Sequence, residues 1–244
     1  MTAASAGSEA TQPRSPLALV CAVNAEAAPI LQLLGDSPTG QLDGVPVRVL
    51  VTGMGKSNAA HALTVLLERE SVGGIISFGV AGAYPGSGLT VGGTALASLA
   101  VYGDEGVQTP SGWMDTQGIG IPLVQDAEQP RFNAFPLDGT RVAAAERSLA
   151  AAGITMRTGP FVTVSCCSGT AQLGAERAQR FGGLCEDMES AALAHVCAIY
   201  RVPMLAVRGI SNLVEDRDLS RWQLAEGIEA ACRAVRVMVR SWKI

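Results

Sequence analysis

The sequence predicts an α/β fold: one domain with a central sheet flanked by helices. Three observations point there. Apolar strand-like runs recur at LALVCAV (17–23), VPVRVLV (45–51), GGIISFG (73–79) and PMLAVRGI (203–210). Segments with helix-like composition, such as 57–68 and 140–152, alternate with them, which implies a largely parallel sheet covered by helices. The chain of 244 residues, 48% hydrophobic and 16% charged, is long enough to bury a sizeable core as a single domain.

Residues 1–16, MTAASAGSEATQPRSP, are small and polar, with neither the basic start nor the apolar stretch of a secretory signal. They read as a loose tail ahead of a domain spanning 17–244. The first strand leaves through CAVNAEAAPIL, which puts Glu26 where strand gives way to helix. A carboxylate there either complements the helix N-terminus or serves a site. Two glycine-rich segments, VTGMGKSNAA (51–60) and SFGVAGAYPG (77–86), each follow an apolar strand and read as turns that let a ligand approach the backbone. Neither is a GxGxxG nor a GxxxxGK[ST] loop.

Residues 104–138, rich in Gly, Pro, Asp and Gln, read as a long connection of the kind used for lids and interfaces. ESAALAHVCAIY then forms a helix, Pro203 ends it, PMLAVRGI makes a strand, and SNLVEDRDLSRW reads as a polar loop. Ligands bind at strand ends in open α/β sheets, so Glu189, Arg208 and Asn212 are expected to converge on one small molecule. The last segment is a packing helix with Leu224, Ile228, Ala231, Val235 and Met238 on one face and Arg233, Arg236 and Arg240 solvated.

Composition excludes several classes of function. Net charge is −4, and no cluster of Lys and Arg offers a nucleic-acid footprint. Six cysteines without CxxC spacing and two histidines argue against both a zinc site and a disulfide framework, and suggest reduced thiols in the cytoplasm. No apolar run approaches the roughly 18–20 residues of a membrane span. Neither a metal nor an organic cofactor is expected.

Taken in order, Glu26, GMGK, FGVAGA, DMES and RGISN resemble the purine nucleoside phosphorylase and nucleosidase superfamily over residues 17–240. Within it they are most similar to the hydrolases that cut methylthioadenosine, adenosylhomocysteine or futalosine. The resemblance implies a twisted mixed sheet and a nucleoside pocket. It makes Glu26 the general base for water, and Met188 and Glu189 a ribose clamp. Arg208 would help hold the water and the carboxylates, or act as a buried ion-pair partner. Val80, Ala81 and Gly82 of FGVAGA would line the substrate, and Asn212 falls where the family contacts the purine.

Phosphorylases of the superfamily carry an Arg where this chain has Ser77, and another near the first strand exit, where this chain has Glu26. Phosphate needs charge-assisted donors, so water is the expected nucleophile; Lys56 remains a possible anion contact. Adenine-specific relatives carry ISD where this chain reads ISN. An amide NH2 suits the two acceptors, N7 and O6, of a 6-oxopurine, so hypoxanthine is the expected base. RGISNLVEDRDLSRW, together with TVSCCSGT (163–170), resembles the futalosine hydrolases of menaquinone biosynthesis. Trp222, ten residues beyond Asn212, would wall the base pocket or pack in the core. Ser165, Cys166 and Cys167 would flank the base, the two thiols forming a wall or serving as buried small hydrophobes. Arg217, Arg131 and Lys56 are candidates for the carboxylate of futalosine. Family members form homo-oligomers, often dimers, and 104–138 is the segment expected to help close the pocket.

Overall fold

A computed structural model describes residues 15–125 and 129–242, so the tail expected at the N-terminus lies outside the described residues up to position 14. The sheet starts from its middle. β1 (Leu17–Cys21), buried throughout, pairs in parallel with β3 (Val45–Val51) on one side and β4 (Gly74–Ala83) on the other. α1 (Asn24–Leu33) and the hairpin strand β2 (Thr39–Leu42) separate β1 from β3, and α2 (Lys56–Arg69) returns the chain to β4. Strands buried on both faces read as continuous apolar runs, which is why β1 and β4 are legible in the sequence, whereas β3 is only partly buried.

β4 runs on through FGVAGA, where the sequence suggests a turn. The extension is held on both sides: β11 (Met204–Leu213) pairs with β4 in parallel as far as Ala83, and β10 (Cys185–Asp187) pairs with Gly82 and Ala83 antiparallel. β11 likewise extends past the expected strand, so Asn212 sits on a strand rather than in a loop. A bulge between Ile210 and Asn212 inserts Ser211 opposite β4, and such an extra residue changes where the next side chain is aimed.

Two long strands escape sequence reading. β5 (Thr94–Tyr102) is TALASLAVY, largely small residues, and β9 (Met156–Thr163) carries Gly159 and Pro160. The two pair in parallel, with a register shift between Ala97 and Leu99 opposite that Gly-Pro step; a bulge is where a strand tolerates proline. β5 also pairs antiparallel with β11, and β10 runs parallel to β9. The nine-stranded sheet of the described residues is therefore mixed, as the family resemblance implies, and it closes on itself through β4, β11, β5, β9 and β10.

The stretch 104–138 is structured where described. It holds the hairpin β6 (Val107–Thr109) and β7 (Gly112–Met114), the short helix α3 (Thr116–Ile119), and β8 (Ala134–Pro136), which joins the edge of β5. Asn133 fastens it: its Oδ1 accepts from the Thr116 amide and hydroxyl, and its Nδ2 donates to the carbonyls of Tyr102 and Glu105. α4 (Gly139–Ala151), α5 (Ala171–Phe181) and α6 (Ser190–Tyr200) complete the helical cover. No helix among the described residues is long and apolar enough to cross a membrane.

α7 (Leu224–Ser241) packs on β11 and β4. Ala231, Val235 and Met238 are buried as expected, but Leu224 at the first turn is 48% exposed, because the helix meets the sheet only from Gly227 onward. Arg236 and Arg240 pair with Asp43, and Arg233 with Glu229. Helix and strand meet backbone to backbone: a Cβ at Gly209 would lie 1.8 Å from the carbonyl oxygen of Gly227. Gly209→Ala is expected to push α7 off the sheet and lower the unfolding free energy by about 2–3 kcal/mol or more, read as an earlier midpoint in urea by circular dichroism; an unchanged midpoint would show that the helix can shift at no cost.

Candidate active site

The fold brings Glu26, Glu189 and Arg208 to one place. Glu26 lies in the first turn of α1 and is buried. Its Oε2 accepts from the amides of Ala22 (2.9 Å) and Val23 (3.2 Å), and its Oε1 from the amide of Val80 (2.9 Å). Gly79 makes room for it, since a Cβ there would stand 2.4 Å from Oε1. Glu189 begins α6, and its Oε1 accepts from the Gly55 amide at 2.7 Å. Gly53 and Gly55 both take left-handed φ, of 88° and 92°, which turns that amide inward. GMGK is thus a glycine turn aimed at the site, as its sequence suggests.

Arg208 is buried at the centre of β11 and ion-pairs with Asp187, Nη2 to Oδ2 at 3.1 Å. It also donates to Ser77 Oγ (3.1 Å) and Ser190 Oγ (2.9 Å). Asp187 accepts in addition from the Thr163 hydroxyl (2.6 Å) and from the amide and hydroxyl of Ser190. Of the two roles open to Arg208, the buried ion pair is therefore realised, with Asp187 as a partner the sequence does not single out. Burial alone would lower the Arg208 pKa; the charges of Asp187, Glu189 and Glu26 outweigh it and keep the guanidinium charged. Glu189 is pushed up to about 7, first by burial and then by Asp187, against the opposing pull of Arg208 and the Gly55 amide.

A cavity of about 10 Å³, roughly the space one water needs, is lined by Glu26, Glu189, Arg208, Ser77 and Thr52 with apolar neighbours. Ser77, which stands where the phosphorylases carry an Arg, is one polar wall residue, and Thr52, which no sequence pattern marks, is another. Asn212 and Trp222 line a second cavity, of about 20 Å³, with Ser168 and Arg217. The three residues expected to converge are thus divided between two neighbouring cavities. The end of β4 joins them: the Val80 amide binds Glu26, while a Cβ at Gly82 would lie 3.0 Å from Asn212 Nδ2. Ala81 lies between, buried. Asn212 is oriented by its neighbours, accepting from Ser211 Oγ (2.9 Å) and donating to the Leu213 carbonyl (3.0 Å).

Trp222 is half-buried and lies outside the core clusters; the Arg217 guanidinium stacks 4.8 Å from its ring centre. It is a wall, not core filler. Met188 is half-buried between β10 and α6, directly ahead of Glu189. Ser165, Cys166 and Cys167 follow β9, and both thiols are exposed, which removes the buried-hydrophobe alternative. The Cys167 thiol is raised to about 11, by desolvation and then by Glu186.

This loop is pinned from two sides by residues the sequence conceals. Asp104 accepts from the Ser165 amide (2.6 Å) and from Lys56 (2.5 Å), and Glu105 takes Lys56 as well (2.8 Å). Lys56 is accordingly neutralised by two acids rather than left to receive an anion. Behind the loop, Arg177 pairs with Glu186 at 2.9 Å and donates to the Cys166 carbonyl at 2.9 Å. In sequence Arg177 is one of several charges on α5 and looks solvated.

The sequence profile of the phosphorylase superfamily matches residues 16–240. Futalosine hydrolase from Thermus thermophilus is 34% identical over 195 residues, 80% of this chain and 82% of that protein. Among solved structures, S-adenosylhomocysteine nucleosidase from Streptococcus pyogenes superposes with a TM-score of 0.81 at 20% identity, covering 96% of this chain and all of that one. The 5′-methylthioadenosine/S-adenosylhomocysteine nucleosidase from Neisseria meningitidis gives 0.79 at 21% identity, covering 93% and 100%. At such identities the structures speak for the fold.

The raised Glu189 pKa sets a dependence of stability on pH. Because the folded pKa, about 7, lies above the ordinary 4.5, the native state binds more protons between these values. That contribution to stability is full below the lower value and is lost as pH rises through the upper one. Unfolding free energies measured in urea from about pH 5 to about pH 8 should fall more steeply for the wild type than for Glu189→Gln; parallel slopes would place the Glu189 pKa elsewhere.

Proposed function

The chain belongs to the phosphorylase superfamily, and from that premise we propose that it hydrolyses the N-ribosidic bond of futalosine. Futalosine and water would give hypoxanthine and the dehypoxanthinyl sugar product, a step of menaquinone biosynthesis. The observation that carries the reading is the meeting of Glu26, Glu189 and the sealed Arg208–Asp187 pair around a water-sized cavity. The futalosine hydrolase relative supports the choice of substrate.

Cleaving a nucleoside needs an activated water, a sugar tolerated as a cation, and a stabilised leaving base. In the proposed reaction Glu26 takes the proton of the water. Glu189, held by the Gly55 amide and preceded by Met188, binds ribose hydroxyls, and its ionised form favours positive charge on the ring. The spare N–H of Asn212 Nδ2 serves N7 or O6 of the departing purine. Arg208, the one cation lining the water cavity among the described residues, is committed to Asp187 and two serine hydroxyls, and Lys56 is committed to Asp104 and Glu105. Neither Arg208 nor Lys56 is therefore free for phosphate, which favours water over phosphorolysis. Of Arg217, Arg131 and Lys56, Arg217 is the one that lines the Asn212 cavity, which favours it for the carboxylate of futalosine. The six cysteines are free thiols, which suits a reducing cytoplasm, and a homo-oligomer is the expected assembly.

Purified protein given futalosine, aminofutalosine, methylthioadenosine and inosine, with and without phosphate, should release hypoxanthine from futalosine independently of phosphate. Glu26→Gln should lower kcat by about 10²-fold or more while futalosine binding remains measurable by calorimetry. Release of adenine from methylthioadenosine would favour methylthioadenosine/adenosylhomocysteine nucleosidase instead. Wild-type turnover in Glu26→Gln would take Glu26 out of the reaction.

A further inference from the structure

The cavity that holds Asn212 contains a second polar group whose hydrogen-bonding direction is fixed. Ser168 follows the Cys166–Cys167 pair and is buried. Glu186 grips it twice: the Ser168 amide donates to Oε1 and the hydroxyl to Oε2, both at 2.6 Å. Arg177 Nη1 donates to the same hydroxyl oxygen at 2.8 Å and to Glu186 Oε2 at 2.9 Å. The Tyr84 hydroxyl donates to Oε2 as well, at 3.2 Å. A serine hydroxyl has one proton and two lone pairs. Here the proton is given to Glu186 and one lone pair to Arg177, so a single lone pair remains. Any further hydrogen bond made by the Ser168 hydroxyl is therefore one that it accepts.

That direction bears on which base the cavity takes. A 6-oxopurine presents N7 and O6 as acceptors and N1–H as a donor, whereas a 6-aminopurine has a bare acceptor at N1. Asn212 offers a donor and Ser168 an acceptor in the lining of one cavity, alongside the charged Glu215, Asp216, Arg217, Asp218 and Arg221; the first two complement the 6-oxo edge. Against a 6-aminopurine, the Ser168 oxygen would face the N1 lone pair with no proton between them, a mismatch of the kind that separates substrates strongly in a buried site. We propose that Ser168, locked as an acceptor by the Glu186–Arg177 pair, reads the N1–H of a 6-oxopurine and with Asn212 sets base specificity. The proposal rests on the reading of the Asn212 cavity as the base site.

The test uses free bases as competitors of futalosine hydrolysis. Hypoxanthine should inhibit the wild type at least about tenfold more tightly than 1-methylhypoxanthine, which lacks the N1 proton. In Ser168→Ala the gap should close to within about twofold, through weaker hypoxanthine binding, and the preference for hypoxanthine over adenine should shrink with it. A merely structural role would weaken all three bases alike and leave both ratios intact, overturning the proposal. Should Ser168→Ala not fold, the wild type still decides, because equal inhibition by hypoxanthine and 1-methylhypoxanthine overturns it. A wild type that releases hypoxanthine but keeps both ratios in the variant removes Ser168 alone. A wild type that releases adenine in preference overturns the base-site reading itself and the proposal with it.

Discussion

The buried ion pair between Arg208 and Asp187 is the constraint around which the site is organised. A guanidinium stays charged at any accessible pH, so the sheet must carry acids beside it, and it does so from three directions: Asp187 on β10, Glu189 at the start of α6 and Glu26 on α1. Only Asp187 touches it as an ion pair, and Ser77, Ser190 and Thr163 complete the hydrogen bonds of the two partners. Breaking such a pair typically costs about 3–5 kcal/mol because one charge is left stranded. Its position joins β11, β10 and α6, the elements that carry Asn212, Glu189 and the wall of the cavity. Stability and site geometry therefore share one set of bonds.

Glycines decide how closely these elements approach. Gly79 leaves room for the Glu26 carboxylate, Gly82 faces the Asn212 amide, and Gly209 and Gly227 let α7 lie against β11 with backbones in contact. The left-handed Gly53 and Gly55 turn an amide toward Glu189. The same residue type thus serves the site through open space in the strands and through backbone conformation in the turn. This explains why the two glycine-rich segments look alike in sequence and fold differently.

Much of the fold was legible because buried parallel strands announce themselves as apolar runs: β1, β3, β4 and β11 and the helices between them fall where the pattern puts them. β5 and β9 did not announce themselves. One is rich in small residues, the other is broken by Gly159–Pro160, and their pairing rests on a register shift that periodicity cannot reveal. Closure of the sheet through β10 is a three-residue event with no local signature. At the site, Glu26, Glu189 and Arg208 were readable as an ordered set, and the structure brings them together. Asn212 was readable too, but its place on a strand depends on the Ser211 bulge, and it faces the neighbouring cavity. The partners of Asp187, Ser168, Arg177 and Asp104 were illegible, because each bonds to a residue that only the fold brings opposite it.

The three amides that hold Glu26 limit what that acid does in the proposed reaction. A carboxylate has about four lone-pair positions, and Ala22, Val23 and Val80 occupy three. Two of those bonds fall on Oε2 and one on Oε1, so the open position belongs to Oε1. In the proposed reaction a water can therefore reach the carboxylate through one oxygen and from one side, and the backbone, not a neighbouring side chain, sets the face from which it comes.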